Sequence, residues 1–289
     1  MRTLRVVLSI ARADFLERTR RYQYLATLVI TLVGGIFFAP PKGANYVAFT
    51  VDGYRGIYNS AWMGAMMAIL TTTTLSLFGF YLVKSAIEVD RATRVGEIVA
   101  STRVGKLEYV AGKWLGNVAV LGSLALVLVI DAIIMQLVRG EDRTIDVLAI
   151  ATPFIVILVP VIALVSAAAV LFEAIPFLRG GIGNVVYFFA WVFGLSSGAS
   201  PGSKIPSPWN DPLGILAVST QIDSALVKIA PHTHKSLDLV IGGDREQERY
   251  FIWHGFVWSS GEVTGRIVWC LVAFAVVALA ALIFDRFAG

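Results

Sequence analysis

The stretch WLGNVAVLGSLALVLVIDAIIMQL, from Trp114 to Leu137, decides the fold of this chain. It runs for 24 residues, and Asp131 is its only charged residue. A helix of about 20 mostly apolar residues is long enough to cross the roughly 30 Å hydrocarbon core of a bilayer. We therefore predict that residues 114–137 form a transmembrane helix.

Five further stretches share this apolar character. The chain of 289 residues is 57% hydrophobic and only 15% charged, whereas about a quarter of the residues in a soluble domain are charged. This balance leaves no room for a separate soluble enzyme domain. It predicts an all-α membrane protein, a single transmembrane domain over residues 1–289 with six transmembrane helices. The five additional helices are predicted over residues 24–39, 62–83, 147–172, 182–198 and 267–284.

The distribution of lysine and arginine predicts the orientation of the helices. Fourteen of these residues fall on one side, in residues 1–22, in residues 84–113 and at Arg179 and Arg286, whereas the short loops of the other side hold four. Cytoplasmic loops carry the excess of positive charge, so both termini are predicted to be cytoplasmic. Residues 84–113 then form a cytoplasmic link, and residues 199–266 form an extracytoplasmic segment.

Residues 1–22 alternate arginines with apolar residues at helical spacing. We interpret them as an amphipathic elbow helix that lies on the inner leaflet, with its arginines near anionic headgroups. The alternative is a helical start to the first span. The apolar residues of this pattern are Leu4, Val7, Leu8, Ala11 and Phe15.

Two other segments outside the spans carry helical patterns. In the link, the run from Val95 to Thr102 predicts a short helix parallel to the membrane. In the extracytoplasmic segment, residues 213–229 are amphipathic enough for a surface or re-entrant helix. Trp253, Trp258 and Trp269 suit the outer headgroup region, where tryptophan is enriched.

Polar residues inside predicted spans are candidates for function, because an unpaired polar group in hydrocarbon is costly. Four consecutive threonines in the second span either line a substrate path or bond back to the carbonyls of their own helix. Asp131 is expected to lie near water at the outer end of its helix, and Glu173 is expected to pair with Arg179. An ion-coupled carrier, which needs an ionisable site deep in the membrane, is therefore not favoured. The four hydroxyl side chains are Thr71, Thr72, Thr73 and Thr74.

Catalytic and nucleotide-binding motifs are absent from the sequence. The two Gly-Lys pairs are followed by Leu107 and Trp114, and neither fits the phosphate-cradling pattern Gly-x4-Gly-Lys-Ser/Thr. His232 and His234, with Asp238, allow a weak metal hypothesis against the alternative of ordinary exposed histidines. No HExxH or GxSxG motif occurs. We expect no enzyme activity, no cofactor and no metal in this chain, and no nucleic-acid partner.

One stretch carries a family resemblance. The sequence DRATRVGEIVASTRVGKLEYVAGKW, from Asp90 to Trp114, resembles the pattern that follows the second span in membrane subunits of ABC-2-type exporters. That pattern has an acidic residue, Gly-Glu, Ser-Thr and then Tyr-x-x-Gly-Lys. Arg103 stands where the family often has proline, which puts the end of the helix in doubt. The elbow helix, the six spans and the long outer segment match the same family.

The resemblance implies a permease subunit that couples ATP hydrolysis to export of a substrate or to work on an envelope partner. A separate ATPase, in two copies, would bind ATP and Mg²⁺ and contact the link. A second permease chain, identical or different, would complete the path in the cytoplasmic membrane of a bacterium or archaeon, within membrane lipid. An extracytoplasmic protein is a further possible partner. The ATPase-coupling residues implied are Val95, Gly96, Glu97, Ile98, Val99, Ser101, Thr102 and Arg103.

Other functions stay open on the sequence. The link can be an ordinary solvated loop, and Gly112-x-x-x-Gly116 can be a close helix contact or a chance spacing. The chain can also be a non-transporting scaffold that regulates other membrane proteins, or an ion-coupled carrier or channel. Nothing in the residues selects a substrate.

Overall fold

A computed structural model of the chain describes residues 2–41, 44, 50–51, 54–198, 211–229, 237–238, 249–285 and 287. The described part is mostly helical. The helices are α1 (Arg2–Thr19), α2 (Tyr22–Phe38), α3 (Ser60–Val83), α4 (Ala86–Ala92), α5 (Val95–Ser101), α6 (Lys106–Arg139), α7 (Val147–Pro153), α8 (Val159–Ala174), α9 (Gly181–Gly198), α10 (Ile215–Leu226) and α11 (Ser260–Ile283).

The longest helix, α6, lies at the centre of the bundle. It packs against α1, α2, α3, α8 and α11. Its 34 residues span about 51 Å at 1.5 Å per residue, which is longer than the hydrocarbon core of a bilayer. The adjacent α3 is the most enclosed helix, with Trp62, Met63 and Met67 fully buried. We call the end of the bundle that carries α4 and α5 the link end.

The helix pair α7–α8 is one interrupted rod. A π-helical turn, Phe154–Leu158, joins the two segments, and it lies between Pro153 and Pro160. Proline has no N–H to donate, so it interrupts the regular backbone ladder of a helix. The two prolines therefore account for the irregular turn in the middle of an otherwise apolar span.

The N-terminal helices meet at a bend of 76° between α1 and α2. α1 lies against the first turns of α6, where two glycines face it. A Cβ at Gly112 would lie 2.7 Å from Cβ of Ile10, and a Cβ at Gly116 would lie 2.7 Å from Oδ2 of Asp14. The prediction that this glycine pair allows a close helix contact is confirmed.

Four helical segments are long and apolar enough to cross a membrane, and the bent pair α1–α2 gives a fifth if it is counted as one span. The four are 60–92, 106–139, 147–174 and 260–283. The prediction of a mostly helical, membrane-type chain is confirmed at this level. Six spans stay a prediction, because α2 has 17 residues on its own and the apolar part of α9 is also shorter than the others.

A small four-stranded sheet at the opposite end of the bundle departs from the sequence expectation. Its strands, in the order β3-β1-β2-β4, are β1 (Thr50–Val51), β2 (Tyr54–Gly56), β3 (Leu237–Asp238) and β4 (Arg249–Phe251). We call this the sheet end. Strands of two or three residues are too short for an alternating apolar pattern, so the sequence analysis did not find them. The helix predicted over residues 213–229 is confirmed by α10.

The sheet is fixed to the bundle by one buried cation. Arg55 in β2 donates to both carboxylate oxygens of Glu141, at 3.0 and 3.2 Å, just beyond the end of α6. Its guanidinium also lies 4.1 Å from the ring centroid of Tyr58 and 4.6 Å from that of Tyr250. A bidentate pair of this kind is geometrically specific, so it sets the position of the sheet on the helices.

The close contact between α1 and α6 leads to a stability prediction. We expect Gly112→Ala to lower the free energy of unfolding by roughly 1–3 kcal/mol, because the added methyl group overpacks Ile10 and the α1 backbone. Gly122→Ala, on the same helix, is the matched control, since a Cβ there has no heavy atom within 4 Å. Thermal unfolding in detergent measures both variants, and equal midpoints would contradict the packing described here.

Candidate functional site

The link between α3 and α6 consists of two short helices, α4 and α5, and an extended segment that leads into α6. α4 and α5 are separated by Thr93 and Arg94, and Arg94 adopts the left-handed conformation with φ of 61°. Few residue types other than glycine, asparagine and aspartate favour the left-handed backbone conformation. The sharp turn at Arg94 sets the direction of α5 relative to α4.

The first turn of α4 is capped by an acid from another helix. The buried carboxylate of Glu173, near the end of α8, accepts hydrogen bonds from the backbone N–H groups of Ala86, Ile87 and Glu88 at 3.1, 2.6 and 2.9 Å. An anion at this place satisfies free N–H groups and the positive end of the helix dipole. Glu173 therefore attaches the link to α8.

The expected pairing of Glu173 with Arg179 is wrong at the level of side chains. The Arg179 guanidinium donates instead to the backbone carbonyl of Glu173, at 2.8 Å, and to the carboxylate of Asp285, at 3.1 Å. The Glu173 carboxylate binds the α4 backbone instead, because the N–H groups of three successive residues converge on it.

A group of four buried charged side chains, which we call the link charge cluster, connects three helices. It comprises Asp14 and Arg18 from α1, Asp90 from α4 and Lys113 from α6. The Lys113 ammonium lies 2.9 Å from Oδ1 of Asp14 and 2.8 Å from Oδ2 of Asp90. The hydroxyl of Tyr109 donates to the same Asp90 oxygen at 2.6 Å.

The link charge cluster is electrically balanced, with two cations and two anions. The Arg18 Nε atom lies 3.1 Å from Oδ2 of Asp14 as an ion pair, but that oxygen has no aligned hydrogen bond in the described residues. Arg18 also donates to the carbonyl of Val83 at the end of α3, at 3.3 Å. Removing one member of a buried ion pair is strongly destabilising, because the remaining charge stays buried without compensation.

The residues that follow α11 hold α5 from the other side. A Cβ at Gly96 would lie 2.5 Å from the ring of Phe287, so only glycine fits at this position in α5. Tyr109 stacks on Phe284 with ring centroids 5.3 Å apart, and Phe287 meets Tyr109 edge to face. These aromatic contacts place the end of α11 between α5 and α6.

An ion-pair bridge strengthens the same junction. The Asp285 carboxylate lies 2.7 Å from the Arg91 guanidinium on α4 and 3.1 Å from that of Arg179. Partial burial would raise the pKa of Asp285, but the Arg179 hydrogen bond and the charges of both arginines outweigh it and lower the pKa. The carboxylate is therefore ionised at neutral pH, and it ties α4 to the end of α11.

The exposed side of the link forms the surface that we call the coupling surface. Ile98 is 66% exposed and Val95 is 42% exposed, although neither lies in a spanning segment. Two of the predicted coupling residues do not belong to this surface, because Gly96 is buried and Val99 is half-buried against the core. The coupling surface comprises Val95, Glu97, Ile98, Ser101, Thr102 and Arg103.

The predicted threonine path divides into two pairs. The hydroxyls of Thr73 and Thr74 donate to the carbonyls of Ile69 and Leu70, which is the back-bonding alternative. Thr71 and Thr72 are fully buried, and their hydroxyls have no hydrogen-bond partner in the described residues. None of the four is brought close to the link.

The sequence analysis missed the link charge cluster and the Asp285 bridge. One signal was present in the sequence, because Asp14 and Arg18 follow Ala11 by three and seven residues and so share one face of α1. Their partners on α4 and α6, Asp90 and Lys113, belong to the family-like pattern of residues 90–114, but the sequence does not indicate that they meet α1. In the described ranges no three His, Cys, Asp or Glu residues are grouped as metal ligands, and His232 and His234 lie outside those ranges.

The link charge cluster leads to a second stability prediction. We expect Lys113→Met to lower the free energy of unfolding by about 3–5 kcal/mol, because it leaves Asp14 and Asp90 buried without their shared cation. Lys106→Met is the matched control, since Lys106 is exposed on the first turn of the same helix. If chemical unfolding in detergent gave the same midpoint for both variants, the ion pairs would not hold the link.

The comparisons with known proteins leave the family open. The chain matches no protein-family model, and no curated protein resembles it at a significant level. The function therefore has to be inferred from the link itself.

Proposed function

We propose that the chain is the membrane subunit of an ATP-driven transporter of the ABC-2 exporter type, whose ATPase is a separate protein. The observation that carries the proposal is the coupling surface, a mixed apolar and charged face on a short helix that is rigidly attached to the spanning helices. ATP and Mg²⁺ bind to the partner in this proposal. The chain described here supplies the surface that receives the motion.

The chemistry of the coupling surface suits a protein partner. Val95 and Ile98 are exposed beside the exposed polar residues of the coupling surface, and exposed apolar residues with a polar rim mark interaction sites. Leu107, 58% exposed on the first turn of α6, extends the apolar area. Glu97 and Arg103 flank it, and charges at the rim of an interface set register and suppress wrong partners.

The attachment of α5 supports a mechanical role. The Glu173 cap joins α4 to α8, the link charge cluster joins α4 to α1 and α6, and Phe287 joins α5 to the end of α11. A force on Ile98 therefore acts on four helices at once. An ordinary solvated loop does not need buried ion pairs at its base.

In the proposed topology the chain crosses the membrane six times and both termini are cytoplasmic. The spans are α2, α3, α6, α7–α8, α9 and α11. The basic residues of the link and of α1 support this orientation. The link end then faces the ATPase, and the sheet end faces outward.

A second membrane subunit is part of the proposal, and α9 supports it. This helix contacts α3 through Tyr187 and Trp191, which donate to the carbonyl and the hydroxyl of Ser76. Its other side exposes large apolar side chains, with Phe193 79% exposed and Phe189 64% exposed. A second permease chain that packs on this side would enclose a path between the two subunits.

The ATPase contact is tested by charge substitution on the coupling surface. We expect Ile98→Arg and Glu97→Arg each to reduce, by about tenfold or more, the amount of co-expressed P-loop ATPase that copurifies with the chain. This reduction corresponds to a loss of at least about 1.4 kcal/mol of binding free energy. Thermal midpoints should stay unchanged, because both side chains are exposed.

The matched control for the coupling surface is Arg143→Glu, which reverses an exposed charge near the sheet end. This variant should copurify with the ATPase as the wild type does. Undiminished copurification of Ile98→Arg, or ATPase-independent substrate flux in liposomes, would overturn the proposal and favour a scaffold or a carrier.

The orientation is tested by labelling single cysteines in a Cys270→Ser background. We expect a membrane-impermeant maleimide to modify Arg143→Cys in intact cells and to modify Arg103→Cys only after permeabilisation, because the two residues lie at opposite ends of α6. Both side chains are exposed, so burial does not limit the reaction. The reverse pattern would place the link outside the cell.

A further inference from the structure

Asp131 is a buried acid inside the apolar part of α6. It lies eight residues before Arg139, the last residue of the helix, which is about 12 Å along the helix axis. The side chain was expected to reach water, but the residue is only 3% exposed. That expectation is wrong because Asp131 faces α2 and not the end of the bundle.

The space for Asp131 is provided by a glycine on α2. A Cβ built at Gly35 would lie 1.7 Å from Oδ2 of Asp131 and 3.1 Å from a methyl carbon of Leu128. The carboxyl group therefore occupies the volume that any larger residue at position 35 would take. The α2–α6 interface is shaped around this side chain.

The carboxyl group lacks a compensating partner. Its Oδ2 atom is fully buried and accepts no hydrogen bond in the described part of the chain. α2 and α3, the helices packed on this part of α6, contain no Asp, Glu, Lys, Arg or His. The nearest opposite charge is Arg139, and its guanidinium donates to the carbonyls of Ile36 and Ala39 at the end of α2.

The charged residues on the other helices that contact α6 are engaged elsewhere. Glu173 on α8 caps α4, and Arg266 on α11 pairs with Asp211 at 3.0 Å. Glu262 accepts hydrogen bonds from Ser259 and Gln221. On α1, Asp14 and Arg18 belong to the link charge cluster at the other end of α6.

We propose that Asp131 is a proton-binding site that controls the packing of α2 on α6. An ionised carboxylate without a partner in a low-dielectric interior is strongly disfavoured, whereas the neutral acid fits the pocket at Gly35. The proton is bound while α2 lies on α6 and leaves the carboxyl group when α2 separates and water enters.

The way α2 is held makes such control possible. Only Tyr24 and Gly35 are buried among the residues of α2. Its polar contacts with α6 and the residue that ends it are the 2.8 Å hydrogen bond between the Tyr24 and Ser123 hydroxyls, the Arg139 contacts and the Asp131 pocket, and Leu28 and Ile36 add apolar packing. The remaining side of α2 is exposed and apolar. This inference does not depend on an ATPase partner.

The first test compares the pH dependence of thermal unfolding in the wild type and in Asp131→Asn, a neutral variant of the same size. We expect the wild-type midpoint to fall by at least about 3 °C relative to the variant as the pH rises from about 4, the ordinary pKa of an aspartic acid, to about 9. The sign follows because the folded state holds a proton that the unfolded state has released at these pH values. Parallel midpoints for the two proteins would overturn the proposal.

The second test uses the wild type alone, so it does not depend on the folding of the variant. Dicyclohexylcarbodiimide, an apolar reagent, reacts with protonated carboxyl groups, and peptide mass spectrometry locates the adduct. We expect modification at Asp131 that declines as the pH rises, and none there by a water-soluble carbodiimide. An unmodified Asp131, or equal modification by both reagents, would contradict a neutral acid in this pocket.

Discussion

The link end of the structure depends on one interaction, the pairing of the Lys113 ammonium with both Asp14 and Asp90. One cation satisfies two acids that come from α1 and α4, and it does so from a third helix. Charges that are buried in this way must be paired, because the desolvation penalty of each ion is several kcal/mol. The requirement fixes the relative positions of three helices in addition to their apolar packing, because an ion pair needs both partners at one place.

The same requirement explains why the link is rigid although it lies outside the spans. Glu173 needs donors, and the first turn of α4 has three free N–H groups that need an acceptor. Asp285 is satisfied by Arg91 and Arg179, which come from two other segments. Each of these buried or partly buried charged groups therefore attaches the link to another segment of the chain. Among the described residues, the coupling surface holds none of these buried ion pairs, and it is the side with exposed isoleucine and valine.

The sequence predicts those features that depend on one helix at a time. Apolar length located four segments that are long and apolar enough to cross a membrane, and the spacing of Gly112 and Gly116 located a close helix contact. It does not predict which direction a polar side chain faces, because hydropathy averages over the whole helix circumference. Asp131 was therefore assigned to water, and Glu173 was assigned to a neighbour in sequence. The charged partners and the short strands come from distant segments, and a single sequence carries no signal for such pairs.

Asp131 and the link charge cluster are two different solutions to the burial of an acid beside α6. At the link end the acids form ion pairs with Lys113 and Arg18. At Gly35 the nearest cation, Arg139, donates to the backbone carbonyls at the end of α2, and we propose that a bound proton removes the charge instead. The two sites are connected through the bent arm α1–α2, since α1 carries Asp14 and α2 covers Asp131.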